Sequence, residues 1–280
     1  MTTLALTDLR SGTLVIPADP GRPPVPVIPQ VPGDPPQAPA GVTRLPDGRL
    51  LIADRAGHRV VAMAEDGSGW SCFGGPGPGA GQLSSPNGVA CGPDGRIWIA
   101  DTGNSRVVAI DSMAGDGWTT YGSAGGPSPG DPAVGKFAQP FGIAVDAAGV
   151  VVADPAAARV VRLSAVDGTG WEATAPGTLR APVAVALLPG GQIVVADLAG
   201  RRLALLDRPA AGVVAEVTDE LLAGPTAVAA ITDDLLAVCV APRAALLTVE
   251  RADGVWSVTL DRRLGDSGLR RPTALCTLPG

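Results

Sequence analysis

A chain of 280 residues, 46% of them hydrophobic, is long enough for one large all-β domain or two smaller ones and has ample apolar material for a core. Its net charge of −6 and pI near 4.8 exclude the concentrated positive field that nucleic-acid binding needs, and no apolar run reaches the ~20 residues that cross a bilayer. Aromatic residues make up only 3%, so Val, Leu, Ile and Ala must form the core, while 38 glycines and 28 prolines cluster between apolar runs as in chains of many short strands joined by turns.

The N-terminal stretch MTTLALTDLRSG lacks the basic start and long apolar run of a secretory signal, so a cytoplasmic location is expected. Within it, TLALT (Thr3 to Thr7) reads as the first strand of a four-strand unit. SGTLVIPADPGRPPVPVIP (Ser11 to Pro29) reads as second and third strands, with Asp19 as the carboxylate that closes the second. The prolines between Pro20 and Pro36 cannot donate a full ladder of hydrogen bonds, so this unit should be short or irregular.

From Pro39 the chain repeats. PAGVTRLPDGRLLIADRAGHRVVAMAE (Pro39 to Glu65) aligns with PNGVACGPDGRIWIADTGNSRVVAID (Pro86 to Asp111) and PFGIAVDAAGVVVADPAAARVVRLS (Pro140 to Ser164). PVAVALLPGGQIVVADLAGRRLALLD (Pro182 to Asp207) is a fourth copy, and PTAVAAITDDLLAVCVAPRAALLTVE (Pro225 to Glu250) a decayed fifth, in which Cys239 replaces the aspartate. The leading prolines are 47, 54, 42 and 43 residues apart, and a further 47 leads to Pro272.

Each copy divides into four strands. The first is rich in Gly and Ala, as a crowded innermost strand requires. Turns at Asp47-Gly48, Asp94-Gly95 and Gly190-Gly191 lead to a second strand, an unbroken apolar run that both faces must bury. An Ala-Asp pair ends it. The arginine that opens the third strand follows that aspartate by five residues, as in Asp54 and Arg59, Asp101 and Arg106, Asp154 and Arg159, and Asp197 and Arg202. Trp70, Trp118, Trp171 and Trp256 mark the start of the fourth strand and are read as packing residues; Trp98 is read as core within a second strand.

A period in the forties with paired apolar runs indicates a β-propeller blade. The fold expected is an all-β, six-bladed propeller of four-stranded antiparallel blades, its ring closed by both termini. The blades span about residues 36–75, 83–123, 137–176, 179–217 and 222–261, with a sixth from 1–34 plus 268–280, all in a single domain of residues 1–280. RPTALCTLPG (Arg271 to Gly280) also reads as a first strand, so it and Thr3 to Thr7 compete for one position.

The pattern P-x-G-[VI]-A, then D-G-x-[IL]-x-[IV]-A-D, then G-N-x-R-V resembles the NHL repeat. It is clearest at Pro86 to Val108, where the Gly103-Asn104 pair is present, and it extends over about residues 36 to 260, weakening after the third copy. The resemblance implies a propeller, commonly of six blades, and says little about activity.

A site at the channel mouth would use the residue after each repeat proline: Ala40, Asn87, Phe141, Val183, Thr226 and Thr273. This set holds no carboxylate. The acidic and amide ring that gluconolactonase-type propellers place around a divalent metal is therefore not visible, and the single histidine, His58, cannot supply the several histidines of the amidating lyases. His58 reads as a turn residue. The four cysteines, Cys72, Cys91, Cys239 and Cys276, are too widely spaced for a zinc cluster or redox dithiol.

The segment Asp261 to Pro272 carries Arg262, Arg263, Arg270 and Arg271 in an acidic chain and offers an anionic contact. The repeated aspartates read as structural, accepting backbone N–H groups in the turn after the second strand, with the arginines bracing them.

The function expected is a non-enzymatic binding scaffold for a protein or ligand, as a monomeric ring with no nucleic-acid or membrane partner. Contacts would fall on Asn87, Phe141, Thr226, Thr273, Arg270 and Arg271. The alternatives are a divalent-metal-dependent hydrolase, lactonase or lyase with its site at the channel mouth, and a carbohydrate- or envelope-binding sensor module. No catalytic, cofactor or metal residue is assigned, and Ca2+ is the one ion kept open.

Overall fold

A computed structural model describes residues 3–8, 12–16, 24–27, 35–122, 135–164, 169–241, 245–261 and 272–278. The described chain is all-β apart from short 3-10 turns. Strands β1 (Thr3–Asp8), β2 (Gly12–Ile16) and β3 (Val25–Val27) precede the repeats. The first repeat forms β4 (Pro39–Arg44), β5 (Leu50–Asp54), β6 (Arg59–Met63) and β7 (Ser71–Gly74). The second forms β8 (Val89–Cys91), β9 (Ile97–Asp101), β10 (Arg106–Ile110) and β11 (Thr119–Tyr121).

The third repeat gives β12 (Ile143–Asp146), β13 (Gly149–Asp154), β14 (Arg159–Leu163) and β15 (Glu172–Ala173), and the fourth β16 (Pro182–Leu187), β17 (Ile193–Asp197), β18 (Arg202–Leu206) and β19 (Ala215–Val217). The fifth gives β20 (Pro225–Thr232), β21 (Leu235–Val240), β22 (Ala245–Ala252) and β23 (Val255–Leu260). The last strand is β24 (Pro272–Leu278). The five repeats make five four-stranded antiparallel blades, each contiguous in sequence, and a further four-stranded sheet has the order β24-β1-β2-β3.

The core lies between sheets. Because side chains of a strand alternate faces, Leu51 and Ala53 of β5 pack with Ile97, Ile99 and Val108 of the next blade. Leu50 and Ile52 pack the other way, with Ala5, Ala274 and Cys276. The same division recurs around the protein, which is why the second strands β5, β9, β13 and β17 are buried at every position and read as unbroken apolar runs. Each Val, Leu or Ile so buried contributes roughly 1.5–3 kcal/mol. The turns expected at Gly48, Gly95 and Gly191 form with φ of 90°, 84° and 90°, the left-handed backbone that glycine adopts without a Cβ clash.

First strands approach closely enough to touch backbone to backbone. A Cβ on Gly88 would run into the carbonyl oxygen of Phe141, and one on Gly142 would lie 2.6 Å from Cα of Ala184. Small residues are required there by the neighbouring blade, as the sequence reading held.

Two register expectations are corrected. The segments that competed for one position lie side by side: β24 contacts β20 and β4, and β1 pairs with β24 on one side and β2 on the other. TLALTD is therefore a second strand, and GTLVI the third. The reason is register. Asp8 pairs with Pro272 as Asp54 pairs with Pro39 and Asp197 with Pro182, so fully buried Asp8 takes the repeat's carboxylate position. Asp19, expected there, lies outside the described residues. In the decayed copy Pro225 pairs with Val240, so Val240 and not Cys239 replaces the aspartate, and Ala245 stands where the arginine would be.

Candidate functional site

The four Asp–Arg pairs hold the loops that lead into the first strands. Each aspartate is fully buried at the end of a second strand. Its main partners are backbone N–H groups of the segment that leads into the first strand of the same blade, not those of the following turn as expected. Asp54 accepts from Gln37 (2.9 Å) and Ala38 (3.2 Å), and Asp101 from Ser84 (2.6 Å). Asp154 accepts from Ala138 (3.1 Å) and Gln139 (2.7 Å), and Asp197 from Arg180 (3.1 Å) and Ala181 (2.8 Å). Within the turn itself the backbone N–H groups of Gly57 (3.2 Å) and Gly200 (3.3 Å) donate, and so does the side-chain amide of Asn104 to Asp101 (2.8 Å). The carboxylate thus pins a loop some sixteen residues upstream, a partner that reading along the repeat could not reveal.

Each arginine completes the clamp. Nε of Arg59, Arg106, Arg159 and Arg202 lies 3.0, 2.8, 3.3 and 3.2 Å from Oδ2 of its aspartate. The guanidinium then donates to loop carbonyls: Arg106 to Pro78 (2.7 Å) and Gln82 (2.9 Å), Arg159 to Lys136 (2.7 Å), and Arg202 to Thr178 (2.6 Å). It also lies over the indole of Trp70, Trp118 or Trp171 at 5.7, 5.4 and 5.8 Å for Arg59, Arg106 and Arg159. Three of the repeated tryptophans are therefore platforms for the clamp, while Trp256 lies under Arg251 at 5.1 Å. The residue before each arginine is left-handed: His58, Ser105, Ala158 and Arg201 have φ of 54°, 53°, 51° and 54°. His58 Nδ1 accepts a hydrogen bond from Ser85 N (3.1 Å), which ties this turn to the loop of the next blade.

With the loops pinned, the first strands line a well of about 300 Å³ in three rings. The collar is Ala40, Asn87, Phe141, Val183, Thr226 and Thr273, the residues expected at the mouth. Below it lie Gly41, Gly88, Gly142, Ala184, Ala227 and Ala274, and the floor is Val42, Val89, Ile143, Val185, Val228 and Leu275. Arg55, Leu198 and Ala241, which follow the second strands, add to the rim, and Arg55 is the one charged residue of the lining among the described residues. They escaped the sequence reading, although their place directly after the repeat's carboxylate position was the available signal.

The polar groups of the collar mostly serve the fold. Thr102 donates its single hydroxyl hydrogen to the Pro140 carbonyl (2.6 Å), so it must accept from Asn87. This orients the Asn87 amide, whose nitrogen donates to Thr102 Oγ1 (2.9 Å) and the Ser85 carbonyl (3.2 Å). Thr226 donates to the Pro272 carbonyl (2.9 Å), and Thr273 lies 3.3 Å from the Pro39 carbonyl. These hydroxyls link one blade to the next. Phe141 is half-buried at the collar, while Arg270, Arg271 and the other arginines of that basic segment lie outside the described residues. No cluster of three His, Cys, Asp or Glu side chains that could hold a metal occurs among the described residues. Burial pushes the Cys239 thiol well above its ordinary range, helped by the charge of Asp8, and burial raises Cys276 to about 12.

The family profile described as NHL repeat matches residues 83–110, the copy in which the motif is clearest. No curated protein matches the chain in sequence. Among solved structures, a chain of a nidogen/laminin complex is similar over 100% of this chain and 99% of its own, at 14% identity and a TM-score of 0.75. A streptogramin B lyase is similar over 81% of this chain and 70% of its own, at 19% identity and a TM-score of 0.62. A catalytically inactive virginiamycin B lyase from Staphylococcus aureus with quinupristin covers 84% of this chain and 75% of its own, at 18% identity and a TM-score of 0.55. At such identities the likeness is one of fold alone.

Proposed function

We propose that this NHL-repeat β-propeller is a binding protein and not an enzyme, a monomeric six-bladed ring closed by strands from both ends that meets its partner at the channel mouth. One observation carries the reading. The repeated acidic and basic side chains face each other and the backbone. The well is lined mostly by glycine, alanine and branched aliphatics, with no titratable side chain in its three rings and the hydroxyls of its two threonines bonded to the Pro272 and Pro39 carbonyls. Loops and collars on a rigid ring are where propellers place recognition. Ring closure is supported by β24, which touches β20 and β4, and by apolar clusters on both faces of the terminal sheet. The nidogen/laminin likeness is compatible with a protein partner, and the lyase likeness keeps a lyase as the rival.

The test pairs affinity with turnover. A partner that co-purifies stoichiometrically and is lost on Val183→Glu, at an unchanged melting temperature, supports the binding reading. Lactone hydrolysis or cyclic-depsipeptide cleavage by the purified protein, abolished by Asn87→Ala, overturns it in favour of the enzyme.

A further inference from the structure

We infer that the well holds the apolar tail of a monocarboxylate, with Arg55 receiving the carboxylate at the rim; this rests on the binding reading above and deepens it. The well supplies the first half of the argument. Its floor of six branched aliphatics and its collar of Ala, Val and Phe side chains offer apolar contact, and its volume of about 300 Å³ meets the lower bound of small-molecule pockets. A polyhydroxylated ligand is a poor match. The amide nitrogen of Asn87 and the hydroxyls of Thr226 and Thr273 are already spent on Ser85, Thr102, Pro272 and Pro39.

Arg55 supplies the second half. It is exposed, it lines the well, and its guanidinium has no ion pair among the described residues. Four residues further on, Arg59 is tied to Asp54, so the contrast lies within a single turn. Leu198 and Ala241, which take the equivalent place in other blades, are uncharged. In a chain of net charge −6 the lining thus carries, among the described residues, one cation on one side of an apolar opening. A single guanidinium fork matches a single planar carboxylate in two parallel hydrogen bonds, whereas a phosphate dianion calls for a cluster of cations.

Isothermal titration calorimetry on the full chain tests this with octanoate, hexanoate, octanol and octylamine. Octanoate should bind with a negative heat-capacity change, the mark of buried apolar surface. Hexanoate, shorter by two methylenes, should bind about tenfold more weakly, and octylamine more weakly than octanol. Arg55→Gln should weaken octanoate about fivefold and leave octanol unchanged, because an exposed ion pair is worth no more than this. Val183→Trp at the collar should abolish all binding. Absence of heat with octanoate, equal affinity for octylamine, or an Arg55→Gln variant that binds octanoate like the parent overturns the assignment. Failure here with a protein partner still captured at the collar would leave the binding reading standing, whereas turnover by the purified protein would remove both.

Discussion

Replacing Asp101 by alanine removes the carboxylate from the best-formed clamp. The Ser84 N–H at 2.6 Å, the Asn104 amide at 2.8 Å and Arg106 Nε at 2.8 Å all lose their acceptor. The arginine side chain is only 10% exposed, so its charge is left largely desolvated. Breaking a buried pair from one side costs about 3–5 kcal/mol. Arg106 keeps the carbonyls of Pro78, Gly79 and Gln82 and the face of Trp118, which places the expected loss at the low end, about 3 kcal/mol. The assay is urea unfolding followed by tryptophan fluorescence, with the midpoint read at constant slope. A second variant, Asp101→Ala with Arg106→Leu, removes the stranded cation and should recover about 1 kcal/mol of that loss. A midpoint for Asp101→Ala within about 0.5 kcal/mol of the parent would refute the clamp.

Three further outcomes follow from other parts of the fold. Gly142→Val should destabilise by more than about 3 kcal/mol or abolish soluble expression, because its Cβ would lie 2.6 Å from Cα of Ala184; a near-parent melting temperature would show that the blades can separate there. Ala158→Gly should raise stability by about 0.5–1 kcal/mol in the same urea assay, because φ of 51° strains any residue with a Cβ. The raised thiols make stability fall in alkali. A folded pKa above the unfolded one favours the native state below the ordinary value of 9.0, and this contribution is lost as pH rises toward about 12 through the folded value of Cys276. The urea midpoint should therefore drop between about pH 8 and about pH 11, and Cys239→Ala with Cys276→Ala should flatten the drop.

Much of the architecture was legible because it repeats. The proline, turn, apolar-run and Ala-Asp signals each follow from local chemistry, and their recurrence marks one blade after another. The collar residues were legible for the same reason, since a fixed offset from the repeat proline places all six on one opening. The failures fall where the repeat fades. Two first-strand patterns near the termini could not be ranked without knowing what each would pair with, and the pairing of Asp8 with Pro272 decided it. Cys239 and Val240 differ by one residue, a shift that reverses which face a side chain takes, and only the register with Pro225 resolved it.

The sequence by itself determined the blade, its strand count and the residue types each strand must carry, because turn chemistry and strand alternation act over a few neighbours. It also pointed to a structural role for the repeated aspartates and arginines. What only the tertiary structure decided is whom they hold. Each carboxylate reaches a loop some sixteen residues earlier, each hydroxyl at the collar serves the next blade, and Arg55 stands at the rim with no carboxylate partner among the described residues. Those are contacts between elements distant in sequence, set by how sheets pack face to face, and no local pattern encodes them.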